Sequence, residues 1–251
     1  MNRTVAGSTK VPEVTLMFWL VKIAATTLGE TGGDAVSMSM HLGYLLSTGI
    51  FGAVFLVSVL AQMSAAGFKP WLYWTTIVAT TTVGTTLADF ADRSLGIGYA
   101  GGSALLLALL ASSLLVWHRT LGTVSIRSIT SRSAELFYWL TIMFSQTLGT
   151  ALGDWTADSA GLGYAGGAMV FSLLLALVLA AYWWSTVSHT ILFWTAFILT
   201  RPLGAVVGDF LDKPQAAGGL ALSRYTASAV LFLFMAACIL IFRQRAAKQA
   251  H

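Results

Sequence analysis

The chain repeats itself four times, and this internal symmetry limits the folds that it can adopt. Four tryptophans, Trp19, Trp74, Trp139 and Trp194, are separated by 55, 65 and 55 residues. Three further columns keep the same register: Gly29, Gly84, Gly149 and Gly204; Asp34, Asp89, Asp154 and Asp209; and Gly43, Gly98, Gly163 and Gly218. Columns in one register indicate a duplicated unit. The ten extra residues of the middle interval fall in a basic segment around 121–133, where two duplicated halves would be joined.

Each repeat contains two apolar runs of the length that a membrane-spanning helix needs, about 20 residues. The predicted spans are 14–36, 42–66, 70–91, 98–118, 134–157, 163–185, 189–212 and 219–242. The predicted fold class is therefore an all-α membrane protein, a single domain over residues 1–251 with eight transmembrane helices. Its repeats cover approximately 14–66, 70–118, 134–185 and 189–242. Because each repeat holds two spans, all four have the same orientation about an axis along the membrane normal.

Composition excludes several classes of protein. Hydrophobic residues make up 57% of the chain and charged residues 10%, whereas a soluble domain carries about 25% charged residues. This rules out a disordered chain and almost any water-soluble enzyme. The single cysteine, Cys238, excludes an internal disulfide or a cysteine-based zinc site. The polar stretch 1–13 leads directly into a full-length span, so no signal peptide cleavage is predicted.

The basic residues predict the orientation of the chain in the membrane. The formal net charge is +4, but the basic residues lie in short gaps between apolar runs, so no nucleic-acid partner is expected. Positively charged residues favour the cytoplasmic side. The connections on one side of the predicted membrane contain two basic residues, Arg93 and Lys213, beside Asp92, Asp158 and Asp212. The connections on the other side, together with both termini, contain nine: Arg3, Lys10, Lys69, Arg119, Arg127, Arg132, Arg243, Arg245 and Lys248. Both termini are therefore predicted to be cytoplasmic, with the lipid bilayer as the main partner.

Each repeat contains a similar stretch of eight residues that ends at its aspartate. The four stretches read TLGETGGD, TVGTTLAD, TLGTALGD and PLGAVVGD. With a tryptophan ahead of each, this pattern resembles a bacterial membrane family of four tandem two-helix repeats, catalogued as domain of unknown function 347. The resemblance covers nearly the whole chain. It implies a multi-pass protein of the bacterial inner membrane with eight spans, and it implies no activity.

The two helices of each repeat differ in polarity. The even spans are apolar in their centres, whereas the odd spans carry threonines and the repeated acids. Polar groups at membrane depth face a partner helix or a cavity. The odd helices are therefore predicted to be central and the even helices peripheral. Pairs of small residues four apart, such as Gly29 and Gly33, are typical of close helix packing, and Pro202 is expected to kink the seventh helix.

The four aspartates are predicted to form one level in the bundle. Each lies 15 residues after its tryptophan, roughly 22 Å along a helix. If the tryptophans mark the cytoplasmic interface, then Asp34, Asp89, Asp154 and Asp209 lie in the outer half of the bilayer. Carboxylates within a membrane indicate a functional site, although each could also cap a helix end or pair locally.

Three other charged residues complete the candidate site. Glu30 and Asp34 are four residues apart on one helix face, where two carboxylates could bind a hard metal cation or share a proton. Arg201, near mid-membrane, is interpreted either as the structural ion partner of Asp209 or Glu30 or as an anion-binding or gating residue. Lys22 is expected to extend towards the membrane interface. The predicted ion-binding residues are Glu30, Asp34, Asp89, Asp154, Asp209 and Arg201, with Glu30 and Asp34 as metal ligands.

The leading hypothesis for function is a transporter or channel for a small cation, either a divalent metal or an ion coupled to protons. No P-loop, nucleophile elbow or H-E-x-x-H motif is present, so no enzyme activity, catalytic residue or cofactor other than a bound metal cation is expected. Two alternatives stay open: transport of a small organic solute, and a membrane scaffold or sensor that transports nothing. The sequence makes no prediction of oligomeric state.

Overall fold

The computed structural model describes residues 9–248 and places eight long helices in this part of the chain. Arg3, one of the basic residues used to predict orientation, lies outside the described residues. Each helix corresponds to one predicted span, and the described residues are otherwise turns and short helical segments. The helices are α1 (Leu16–Asp34), α2 (Gly43–Ser64), α3 (Pro70–Asp89), α4 (Tyr99–Leu121), α5 (Arg132–Asp154), α6 (Gly163–Trp184), α7 (His189–Asp212) and α8 (Arg224–Ile241).

The start of the eighth helix differs from the prediction. The apolar run begins near residue 219, but α8 begins at Arg224. The preceding residues fold back along the end of α7: the amides of Leu220 and Leu222 donate to the carbonyls of Phe210 and Leu211. The segment turns at Gly218, where φ is +86°, a conformation that glycine adopts without strain.

The four odd helices form a closed inner ring. α1 packs against α3 and α7, and α5 packs against the same two helices from the opposite side. The even helices lie outside this ring, and each packs on the inner helix of the following repeat: α2 on α3, α4 on α5 and α6 on α7. α8 closes the circle by packing on α1. The predicted arrangement, with odd helices central and even helices peripheral, is confirmed.

The outer surface of the bundle is apolar. α2, α4, α6, α7 and α8 are long and apolar enough to cross a membrane. Leucines on the outer helices are widely exposed, such as Leu45 at 64% and Leu173 at 63%. An exposed apolar surface of this kind is typical of membrane proteins. α1, α3 and α5 are less apolar because they carry the polar face that the ring buries.

Small residues allow the inner helices to approach closely. A methyl group added at Gly29 would overlap Thr81 of α3, and one added at Gly204 would overlap Thr26 of α1. Gly149 approaches Arg201 of α7 in the same way. The second glycine of a pair repeats the pattern where it is present: Gly33 lies against Thr85, and Gly208 lies against Glu30. Each helix is thus in contact with the next repeat, and the predicted role of these glycines in packing is confirmed.

The two terminal segments meet at one end of the bundle. Pro12 and Ala246 form an antiparallel bridge, and the amide of Ala247 donates to the carbonyl of Val11 at 2.8 Å. This is the end at which the inner helices begin. At the opposite end, the aspartates of the first three repeats are each followed by a wide π-helical turn, at Ala35–Ser39, Phe90–Ser94 and Trp155–Ser159, whereas α7 continues beyond Asp209 to Asp212.

Candidate functional site

The inner helices present a shared row of side chains to the centre of the ring, spaced four residues apart. Positions four apart lie on one side of a helix. We call these rows the axial face. A level of this face consists of the four residues at equivalent positions in the four inner helices, and we number the five levels from the end at which the termini meet. All of its residues are buried, the most exposed being Phe193 at 8%. The axial face consists of Phe18, Lys22, Thr26, Glu30 and Asp34 in α1; Tyr73, Ile77, Thr81, Thr85 and Asp89 in α3; Tyr138, Ile142, Gln146, Thr150 and Asp154 in α5; and Phe193, Phe197, Arg201, Ala205 and Asp209 in α7.

Arg201 lies at the centre of this arrangement. Its Nη2 donates to Glu30 Oε2 at 2.9 Å, to Thr85 Oγ1 at 2.6 Å and to Thr150 Oγ1. These three residues, from three different helices, form the fourth level of the axial face. The fourth member of that level is Ala205, on the same helix as Arg201. Of the two ion partners considered for Arg201, the structure selects Glu30 and not Asp209.

The four aspartates form the fifth level and are joined in pairs by two cations. Lys213 Nζ lies 2.6 Å from Asp34 Oδ2 and 3.0 Å from Asp209 Oδ1. Arg93 Nε lies 2.9 Å from Asp89 Oδ1, and its Nη2 lies 3.2 Å from Asp154 Oδ2. The predicted level therefore exists, but it is not a ring of free carboxylates.

Sequence reasoning missed the roles of Arg93 and Lys213, which it assigned only to the connections between helices. Each lies four residues after an aspartate, Asp89 and Asp209 respectively. This spacing brings a cation and an acid together at the end of a helix, and it is the sequence feature from which these two ion pairs could have been predicted. The second contact of each cation, to Asp154 and Asp34, crosses to another repeat and depends on the tertiary fold.

The aspartate end of the axis is formally negative. Asp212 pairs with Arg224 at 3.0 Å, and Arg224 also lies 3.7 Å from Asp34. The four aspartates and Asp212 together face Arg93, Lys213 and Arg224, which leaves two carboxylates in excess. Burial alone lowers the pKa of Lys213, but the carboxylates of Asp209, Asp34 and Asp212 outweigh this and raise that pKa above its usual value. Lys213 therefore keeps its charge.

Three carboxylates converge at this end, and only Asp34 among them belongs to the predicted metal pair. Oxygen atoms of Asp34, Asp209 and Asp212 lie within 4.8 Å of one another, a spacing that a hard cation could bridge. Glu30 is outside this group because Arg201 and Thr85 hold its Oε2. The ammonium group of Lys213 contacts two of the three aspartates. A metal ion at this position would have to displace Lys213.

The opposite end of the axis is closed by an aromatic layer, made of the repeat tryptophans and the residue before each. The ring centroids of Phe18 and Trp74 are 5.5 Å apart, and the equivalent pairs around the ring are Tyr73–Trp139, Tyr138–Trp194 and Phe193–Trp19. The hydroxyls of Tyr73 and Tyr138 are 2.6 Å apart. Trp74, Trp139 and Trp194 are buried because they pack on the neighbouring repeat, so they do not lie on the outer surface of the bundle.

Lys22 also differs from its prediction. It is completely buried and does not extend to an interface. Its Nζ lies 4.1 Å from the centroid of the Phe197 ring and donates to Thr200 Oγ1 at 3.4 Å. The aromatic layer lies between Lys22 and the nearer end of the bundle, so the side chain has no short route to the surface.

Two cavities of the described residues lie off the axis. One, of about 240 Å³, is formed by the terminal segments and includes Pro12, Phe18 and Arg245. The other, of about 190 Å³, is an apolar groove on the outer surface among α2, α3 and α8, with Phe51, Trp71 and Phe232 in its walls. Neither contacts the aspartate level.

The comparison with known proteins is consistent with the fourfold construction. The model of a family described as a repeat of unknown function (DUF347) matches the chain four times, at residues 17–68, 72–123, 137–188 and 192–246. Each match contains one inner and one outer helix. No curated protein and no solved structure matches the chain.

Proposed function

The chain belongs to the DUF347 repeat family, whose description states no function, and from its own geometry we propose that it is a membrane transporter of small cations. In this proposal its eight helices span the bacterial inner membrane, with both termini in the cytoplasm. The acids of the axial face, Glu30, Asp34, Asp89, Asp154 and Asp209, act as cation ligands or proton carriers. The transported ion is a divalent metal or a cation coupled to protons.

The observation that carries the proposal is the burial of five carboxylates along one axis. All five are at most 3% exposed, and they occupy two adjacent levels of the axial face. Burying a charge costs several kcal/mol unless it is paired. Acids inside a membrane protein are therefore rare, and they are typical of ion pathways and proton relays. The two excess negative charges of the aspartate end favour a positively charged substrate.

The geometry favours a carrier over an open channel. The aromatic layer fills the axis at one end, and Arg93 and Lys213 hold the aspartates at the other. An entering cation or proton would compete with these two residues for the same carboxylate oxygens. Release of Lys213 or Arg93 would loosen the contact between repeats that each now bridges, and this links ion binding to a change in helix packing.

A second candidate function, a membrane scaffold or sensor that transports nothing, is favoured by one observation. Every aspartate of the fifth level has a cation partner, and Glu30 has Arg201. A centre in which all acids are paired can serve stability alone.

Ion flux into proteoliposomes distinguishes these candidates. The purified protein would be tested with protons, monovalent cations and divalent cations, as wild type and as Asp34→Asn. We expect a selective flux that falls at least about tenfold in the variant, a factor that corresponds to about 1.4 kcal/mol, because the neutral amide of Asn attracts a cation less strongly than a carboxylate does. Asp158→Asn is the matched control, since it removes an exposed acid from the same end of the bundle.

Equal fluxes in wild type and Asp34→Asn would contradict the assigned role of the aspartate level. Absence of flux for every cation, with the protein folded and inserted, would support the scaffold or sensor.

A further inference from the structure

We propose that a small monovalent inorganic anion binds at the centre of the bundle, among Lys22, Gln146 and Arg201. This site lies in the second and third levels of the axial face, between the aromatic layer and the Glu30–Arg201 ion pair. It goes beyond the proposed cation transport and involves none of the aspartates.

The first observation is an excess of positive charge. Lys22 has no carboxylate within ion-pair distance among residues 9–248, and Arg201 has one, Glu30. Lys22 and Arg201 are both completely buried. Two cations thus share a single anion in the buried centre of the bundle. A buried charge needs a counter-charge or an equivalent set of dipoles, and the ring of Phe197 gives Lys22 only a weak one.

The second observation is a set of unpartnered N–H donors in the third level of the axial face. Arg201 Nε and Nη1 have no hydrogen-bond partner in the described part of the chain, and neither has the side-chain amide of Gln146. Both residues are 0% exposed, although buried polar groups nearly always have a partner. The two residues are at the same level on neighbouring helices, α5 and α7, and the side chain of Arg201 packs against Gly149, one turn from Gln146.

The chemistry of these groups selects an anion. The ammonium of Lys22, the two free guanidinium nitrogens and the Gln146 amide nitrogen are all donors, and the Gln146 carbonyl oxygen is the one unpartnered acceptor among them. A water molecule would satisfy the donors but would not balance the charge of Lys22. A cation would add to the positive excess.

Comparison of the repeats shows that this polarity is a local departure from the fourfold pattern. The positions equivalent to Lys22 are Ile77, Ile142 and Phe197, and those equivalent to Gln146 and Arg201 are Thr26 and Thr81. The three donor residues therefore come from three different repeats and meet only in the folded ring. Packing needs none of them, since other repeats fill the same positions with apolar or hydroxyl side chains.

The close packing of the inner helices around the third level favours a small anion. Gly204 and Thr26 approach so closely that an added methyl group at Gly204 would lie 2.9 Å from the Thr26 backbone. Gly29 and Thr81 are in the same relation. The helices are therefore in contact at this level, and a halide or nitrate fits the donor set better than a bulky oxyanion.

The test is anion binding to the purified protein in detergent. Chloride, bromide and nitrate would be titrated by calorimetry, and thermal unfolding would be followed in the same salts. Sodium gluconate would keep the ionic strength constant, because this anion is too large for the site. We expect saturable binding and a rise in Tm with the small anions only.

Two variants make the test specific, because each introduces the residue that another repeat carries. Lys22→Ile and Gln146→Thr are expected to fold and to weaken small-anion binding at least tenfold. Lys69→Gln is the matched control, since it removes a basic residue that is exposed and distant from the axis. It should bind as the wild type does.

Lack of saturable binding in the wild type would overturn the proposal, and so would equal binding in Lys22→Ile and Gln146→Thr. If one variant does not fold, the other still decides. Since the readout is anion binding and not cation flux, the anion site can fail while cation transport holds, or hold while transport fails.

Discussion

Glu30 and Arg201 are charged, whereas the equivalent positions of the other repeats have uncharged residues. Repeats 2 and 3 have Thr85 and Thr150 where repeat 1 has Glu30, and repeats 1 and 2 have Thr26 and Thr81 where repeat 4 has Arg201. The two exceptions meet at 2.9 Å in the middle of the ring. Each charge offsets the cost of burying the other.

This mutual dependence can be measured with two substitutions. Glu30→Thr leaves Arg201 as a buried unpaired cation, and Arg201→Thr leaves Glu30 as a buried unpaired anion. Each should lower the free energy of unfolding by about 3–5 kcal/mol. The double variant has a threonine at both positions, as repeat 2 does with Thr81 and Thr85, and should recover most of the loss. Circular dichroism during denaturant titration of the three variants would give the coupling energy. A double variant less stable than both single variants would show that the pair is not the cause.

The inner helices pack through small residues that repeat every four positions, so that each helix places its glycines against the axial face of the next. Gly29 meets Thr81, and Gly204 meets Thr26. Contacts along rows four residues apart are typical of closely crossing helices. The short distance between backbones brings the axial side chains of all four helices together. A wider ring would separate Arg201 from Thr85 and Thr150.

A pair of glycine substitutions tests this packing. Gly204→Ala places a methyl group against the backbone of Thr26 and should lower the free energy of unfolding by about 1–3 kcal/mol. Gly49→Ala, on α2, meets no atom within 4 Å and should be neutral or stabilise the protein by up to about 1 kcal/mol, because alanine favours a helix. Thermal unfolding of the two variants and the wild type gives the comparison. Equal stability of all three proteins would exclude close packing at Gly204.

The whole molecule is a closed circle of four repeats, although the chain is open. α8 packs on α1 as α2 packs on α3, so the last repeat completes the first. The terminal segments lie together, since Thr9 Oγ1 donates to the carbonyl of Ala247. The connection between α4 and α5 is at the same end of the bundle as the termini. The packing of the helices would therefore be the same if the chain began and ended at another connection of the circle.

A circular permutant should fold because of this closure. Residues 248 and 9 would be joined by a short glycine–serine linker, and new ends would be opened between Gly122 and Thr123 in the exposed connection after α4. We expect a monodisperse protein whose Tm is within a few degrees of the wild type. The control carries the same linker and is opened within α5, between Ser145 and Gln146, where it should fail to fold. Aggregation of both permutants would indicate that the contact of α8 with α1 is not equivalent to the contacts between the other neighbouring repeats.

The sequence alone determined the number of repeats, the eight helices, the inner position of the odd helices and the single level of aspartates. These features follow from periodicity and polarity, since an i, i+4 row of acids and threonines has one side on which it can be buried. Periodicity also predicted that Trp74 and Asp89 lie near opposite ends of their helix. It could not show that Trp74 is buried, because its partner, Phe18, comes from another repeat.

Only the tertiary structure decided which charges meet. Lys213 bridges Asp34 and Asp209, and Arg93 bridges Asp89 and Asp154, because ring closure places repeat 4 beside repeat 1 and repeat 2 beside repeat 3. Arg201 had two acids as possible partners, and in the folded ring its guanidinium pairs with Glu30 and also donates to Thr85 and Thr150. Lys22 is buried because aromatic side chains from all four repeats cover it. Each outcome depends on distances between residues far apart in the chain, and such distances exist only after the helices have packed.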